Sequence, residues 1–147
     1  MSRFQVTPAV FLMLFKENKV LLLLREGTGY MDGYYSLVAG HMDGDETVKS
    51  AMIREAKEEA NITLNESEID VALTMHRFSS DERIDFFVTA REFEGEVKNM
   101  EPSKCKELKW FVIDELPENM VPNVRYAINA VRDGQTFAQF DDRKLIL

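Results

Sequence analysis

Residues 40–62 read GHMDGDETVKSAMIREAKEEANI, and this stretch decides the fold. From about Thr47 to Ala60, the residues Val48, Ala51, Met52, Ala56 and Ala60 recur at spacings of three and four. That period marks one apolar face of a helix. Thr47, or Asp45 just before it, can cap the amino end. Asn61 stops the other end, since Asn is the non-glycine residue best able to adopt the left-handed conformation of a helix terminus. Asp43-Gly44 ahead of the helix is a turn signal. The stretch therefore reads as a loop followed by a helix.

The second face of this helix carries an unusual charge pattern. Glu55, Glu58 and Glu59 stand at i, i+3 and i+4, so their carboxylates project to one side within about 5–6 Å of each other. Like charges at that spacing weaken a helix, and at its carboxyl end the macrodipole disfavours them as well. A divalent cation turns this cost into a gain, because hard ions such as Mg²⁺ select carboxylate oxygens. Arg54, four residues before Glu58, can pin that side chain.

Outward from the helix, residues 9–15 (AVFLMLF) and 20–24 (VLLLL) are apolar runs of strand length, separated by a polar stretch short enough for a hairpin. Residues 27–34 carry three glycines and an aspartate and read as a loop. A short strand is expected at Tyr35–Ala39, ending at Gly40. Further strands are expected at 70–78, 83–92 and 107–113. A second helix is expected at about 122–133, with Pro122 in its first turn and Gly134 closing it. This order gives an α/β or α+β fold with mixed hairpins and crossovers. No linker or repeat divides the chain, so residues 1–147 are expected to form one domain.

Composition narrows the function. The 147 residues contain 18 Lys+Arg against 26 Asp+Glu, a net charge of −8. Neutralising phosphates takes Lys and Arg in excess, so nucleic-acid polymers and anionic membranes are not the expected partners. A small anionic substrate remains compatible if divalent cations bridge it to carboxylates. Cys105 is the single cysteine. It permits no intramolecular disulfide and fits a reducing cytoplasm, the expected location. The apolar run Ala9–Phe15 is too short to span a bilayer.

Gly40, then five residues, Glu46, then seven, and Arg54-Glu55-Ala56-Lys57-Glu58-Glu59-Ala60-Asn61-Ile62 resembles the Nudix box, G-x5-E-x7-R-E-U-x-E-E-x-G-U with U a bulky apolar residue. At roughly one in ten per position, the six charged and first-glycine matches arise by chance in about one window in a million. Ala56 is small for its place, and Asn61 stands where the family has glycine. Neither departure touches a carboxylate. The resemblance implies an α/β/α sandwich around a mixed β-sheet. It also implies a hydrolase that cleaves a nucleoside diphosphate linked to another group.

Residue by residue, the resemblance makes Glu55, Glu58 and Glu59 metal ligands, with Glu55 the first choice for general base and the Gly40 carbonyl a backbone ligand. Glu46 and Arg54 resemble the ion pair that orients the helix. Mg²⁺ is the expected cofactor, with Mn²⁺ as a substitute. A further acidic residue often comes from a loop beyond the box, and Glu101 and Glu107 are both candidates. Arg25 has two readings, a surface ion pair or a contact with substrate phosphates. On the strand at 107–113, one of Trp110 and Phe111 must face the core, and the other is a candidate for stacking on a base. Tyr30, Tyr34 and Tyr35 read as loop packing, His76 as structural, His41 as adjacent to the metal loop, and Cys105 as inert.

A MutT-like action on a (deoxy)nucleoside triphosphate, giving a monophosphate and pyrophosphate, is the leading expectation. ADP-ribose-cleaving relatives usually carry a proline some sixteen residues past the box, where this chain has Arg77-Phe78-Ser79. Dinucleoside-polyphosphate relatives tend to have a tyrosine nearby, and none stands there. The alternative of another class is a Nudix-fold module that binds nucleotides without cleaving them, although such modules typically lose box carboxylates. Whether two copies pair as a homodimer is left open by the sequence.

Overall fold

A computed structural model describes residues 3–145. The two apolar runs become β1 (Thr7–Lys16) and β2 (Lys19–Arg25), an antiparallel hairpin paired over Phe15↔Val20 and Lys16↔Lys19. β1 is apolar on both faces for a physical reason. Val10, Leu12 and Leu14 enter one core, while Ala9, Phe11, Met13 and Phe15 enter another on the opposite side. Fully burying each large side chain is worth about 2 kcal/mol, so this strand anchors both layers.

The strand expected at 35–39 is split in two. β3 (Tyr35–Ser36) pairs with β2, and β4 (Val38–His41) pairs with β1, Val10 opposite Gly40. β1 and β2 separate after two rungs, so one segment crosses from the second strand to the first. α1 (Val48–Ala60) follows, and Thr47 caps it by accepting a hydrogen bond from the Ser50 N–H at 3.1 Å. Asn61 ends it in the left-handed conformation at φ 62°, as the sequence predicts.

β5 (Ile69–Phe78) and β6 (Glu82–Ala90) form an antiparallel hairpin, with β6 running parallel to β1. β7 (Cys105–Val112) lies antiparallel on β2. α2 (Pro122–Arg132) begins on its proline. The chain then adds β8 (Phe137–Asp141), parallel to β5, which sequence reading did not anticipate.

The strand order β4-β1-β6-β5-β8 makes one mixed sheet, and β3-β2-β7 branches from it through the β1–β2 hairpin. Ala51, Met52, Ala56 and Ala60 of α1 fill the core on one face. Val124, Ala127 and Ile128 of α2 fill the core on the other. The result is the α/β/α sandwich that the sequence led to. Among the described residues, no helix is long and apolar enough to cross a membrane.

Candidate active site

Arg54 is the hub of the site. Its guanidinium donates to both carboxylate oxygens of Glu46, at 2.9 and 3.2 Å, to Glu55 at 2.7 Å and to Glu58 at 3.4 Å. It also donates to the His41 carbonyl at 3.3 Å and lies 3.4 Å from a carboxylate oxygen of Asp43. The planar fork suits this bidentate grip. Glu46 in turn accepts the Asp43 N–H at 2.8 Å. These bonds to Arg54 and Asp43 hold its carboxyl below the usual range. The loop between β4 and α1 is thereby fixed to the helix that carries the other glutamates.

Glu55, Glu58, Glu59 and Glu101 line one cleft of about 510 Å³, together with Gly40 and Lys104. Burial pushes the Glu55 carboxyl up, opposed by its hydrogen bond from Arg54. Glu59 is pushed to about 9, first by burial, then by the charge of Glu55 and a hydrogen bond shared with it, and further by Glu101. Each of these two carboxyls thus opposes the ionisation of the other, a cost that a bound cation would remove. The donor set is hard oxygen throughout and carries more negative charge than Arg54 neutralises, which is chemistry that fits Mg²⁺ or Mn²⁺. As the side chains stand, no three described His, Cys, Asp or Glu residues are grouped tightly enough to hold an ion. Arg54 draws Glu55 and Glu58 toward itself.

The backbone places Glu101 and Glu107 differently. The segment after β6 is sewn to the end of α1 by Lys98 N–H to the Ala60 carbonyl at 3.0 Å and Met100 N–H to the Glu59 carbonyl at 3.1 Å. That seam carries Glu101 into the cleft. Glu107 instead accepts a 2.6 Å hydrogen bond from the Tyr35 hydroxyl. Arg25 has no carboxylate partner among the described residues. It donates to the Tyr30 carbonyl at 2.7 Å and to Thr28 at 2.9 Å, beside the Tyr30 ring. Its side chain borders both the glutamate cleft and a second pocket.

This second pocket, of about 380 Å³, shares Arg25, Ala39, Gly40 and His41 with the glutamate cleft. Its remaining wall includes Arg77, Ser79, Ser80, Arg83 and Asn123. Sequence reading singled out none of these as site residues. The available signal was polar residues on apolar faces: Arg77 continues the inward series Leu73, Met75 on β5, and Asn123 sits in the buried stripe of α2. Asn123 is 1% exposed, and its side-chain nitrogen has no hydrogen-bond partner.

Trp110 and Phe111 lie apart from both cavities. Phe111 packs edge-on against Tyr35 in the α2-side core, and Trp110 stacks on Phe93 above a separate depression. Neither borders the glutamate cleft or the pocket beside it, because β7 lies on the branch beyond β2. His76 pairs with Glu82 at 2.7 Å, away from the site, and His41 stands at its edge. Cys105 lines the cleft but is buried, and burial pushes its thiol up to about 11.

Four carboxylates and a flanking arginine thus line one cleft that adjoins a polar pocket. The family described as NUDIX domain matches residues 5–131. The fold resembles a MutT NUDIX hydrolase from Burkholderia pseudomallei at 24% identity, covering 86% of this chain and 98% of that one, with a TM-score of 0.79. It also resembles a MutT protein from Bacillus halodurans at 21% identity, covering 92% and 90%, with a TM-score of 0.74. An ADP-ribose pyrophosphatase from Streptococcus suis is similar at 21% identity, covering 93% and 100%, with a TM-score of 0.61. No curated protein matches the chain. The chain belongs to the Nudix family. With that membership comes the coarse class of chemistry, a hydrolase fold for a nucleoside diphosphate linked to another moiety.

Proposed function

We propose that this protein is a Mg²⁺-dependent nucleotide pyrophosphohydrolase that converts a (deoxy)nucleoside triphosphate to its monophosphate and pyrophosphate. The observation that carries this reading is the convergence of Glu55, Glu58, Glu59 and Glu101 on one cleft that adjoins, at Gly40, a donor-rich pocket lined by arginines. The phosphates belong at the carboxylates and the nucleoside in the pocket. Glu55, Glu58, Glu59, Glu101 and the Gly40 carbonyl would hold Mg²⁺, or Mn²⁺ in its place. When bound, the ion offsets phosphate charge and makes water a stronger nucleophile.

The chain's own residues do the remaining work. Glu55 is the candidate base, since its carboxylate lines the cleft and is oriented by Arg54. Arg54 and Glu46 keep the loop and helix in register, the task that an orienting pair performs beside a metal site. Arg25 supplies positive charge between the two cavities, where it can meet a phosphate oxygen. The nucleoside pocket lies on the side of the sheet remote from Trp110, so base recognition falls to polar groups there rather than to that ring. The reaction sits in the cytoplasm on this account.

The test is phosphate release, after added pyrophosphatase, across ordinary and oxidised nucleoside triphosphates with Mg²⁺. ADP-ribose and dinucleoside polyphosphates are assayed alongside with a phosphatase. Strong turnover of one triphosphate supports the proposal. Turnover of ADP-ribose alone would overturn the substrate, and binding without any product would overturn the enzyme.

A further inference from the structure

Beyond Gly134 the chain leaves the residues that the family match covers, which end at 131, and lays β8 along β5, with Thr74 opposite Phe137 and Phe78 opposite Asp141. A short 3₁₀ turn at Asp142–Leu145 follows. Arg143 fixes the turn locally. Its guanidinium lies 4.5 Å over the Phe78 ring and donates to both carboxylate oxygens of Asp141 at 2.9 Å. Asp142 is thereby aimed inward at Arg77.

Arg77 is 5% exposed, at the polar end of the α2-side core. Its Nε donates to Asp85 at 2.6 Å and its Nη1 to Asp142 at 2.6 Å. A guanidinium this buried is tolerable only when carboxylates take its charge. Asp85 is shared, because its other oxygen faces Arg83 Nε at 3.6 Å, while Arg83 also lies 3.7 Å from Asp81. The second carboxylate comes from the C-terminal turn. Arg77 and Arg83 both line the pocket beside the glutamate cleft, whereas Asp142 does not.

We propose that Asp142 is a positioning residue for substrate recognition: through Arg77 it sets the β5–β6 wall of the pocket that receives the non-phosphate moiety. The C-terminal strand and turn then act as part of the specificity apparatus rather than as a passive addition to the sheet edge. With Asp142 neutralised, Arg77 keeps a single carboxylate, Asp85, which also faces Arg83, and Arg77 gains freedom to turn into the pocket. The glutamate cleft is untouched, so the change falls on binding and not on the chemical step. This inference rests on the proposed nucleotide substrate.

The experiment compares wild type with Asp142→Asn, Asp142→Ala and Asp142→Glu. It measures steady-state kinetics on the best triphosphate of the panel, calorimetric binding of the matching nucleoside monophosphate, and the urea midpoint. The account predicts that Asp142→Asn and Asp142→Ala raise KM and the monophosphate Kd about tenfold, with kcat within about twofold, while Asp142→Glu recovers most of the loss. Unchanged KM and Kd would overturn it. So would a lower urea midpoint and kcat with KM and Kd unchanged, the mark of a merely structural role. A wild type that binds nucleotide without cleaving it, with weaker binding in Asp142→Ala, would remove the hydrolase reading and keep the positioning role. A wild type that binds no nucleotide would remove both.

Discussion

The carboxylate of Glu55 occupies the space that any side chain on residue 40 would need. A Cβ built on Gly40 meets the Glu55 carboxyl group, while the backbone of Gly40 is locked by its pairing opposite Val10. The glycine that opens the motif and the first glutamate of the helix are thus one steric unit. Gly40→Ala is expected to displace Glu55 and lower kcat about 10- to 100-fold, as misplacement of a positioned group by about 1 Å does. The fold should survive, since the strain is relieved by moving a side chain. Equal turnover in the alanine variant would show that the close approach has no part in catalysis.

Glu101 and Glu107 separate by consequence. Glu101→Gln, inside the cleft, should reduce turnover at least about tenfold with little change in stability. Glu107→Gln should leave turnover within about twofold and cost roughly 0.5–1.5 kcal/mol of folding free energy, the worth of its bond to Tyr35. Kinetics and urea denaturation on the two variants decide it. A reversed pattern would move the fourth carboxylate to Glu107.

Tyr35 predicts an alkaline transition. Burial, then the hydrogen bond to Glu107, pushes its hydroxyl from 10.0 up to about 12. A group whose folded value is raised stabilises fully below its unfolded value and loses that contribution as pH rises through the folded one. Stability on the order of 2 kcal/mol should therefore be present below pH 10 and disappear toward pH 12. Tyr35→Phe, less stable at neutral pH by about 1 kcal/mol, should lack this loss. Parallel pH profiles for the two proteins would contradict the assignment.

The Cys105 thiol is buried and raised to about 11. At pH 8 its thiolate fraction is about a hundredfold below that of an ordinary cysteine. A disulfide reagent should label the native protein far more slowly than the urea-unfolded chain. Rapid native labelling would mean that the cleft opens more widely than described.

Most of the helix was legible because its signals are local. The apolar period of three and four, the Thr47 cap and the left-handed Asn61 all depend on neighbours a few residues away. So did the pinning of Glu58 by Arg54, whereas the pairing of Arg54 with Glu46 was implied by the family resemblance alone. The second pocket was illegible because it is assembled from places far apart in the chain: β1, the end of β2 and the loop after it, β3 and β4, the β5–β6 hairpin and the start of α2. The same is true of β8, whose five residues are a strand by virtue of pairing with β5 rather than by pattern. For Trp110 and Phe111, alternation along a strand tells which residues share a face. It does not tell which face meets the ligand.

The most direct test of the central claim is an Mg²⁺ titration of turnover in wild type beside Glu58→Gln and Glu59→Gln. Each substitution keeps the side chain's shape and removes a charge. The account predicts saturable activation of the wild type by Mg²⁺, and turnover at least about 100-fold lower in both variants at any Mg²⁺ concentration. Near-normal activity in either variant, or wild-type turnover indifferent to Mg²⁺, would contradict it.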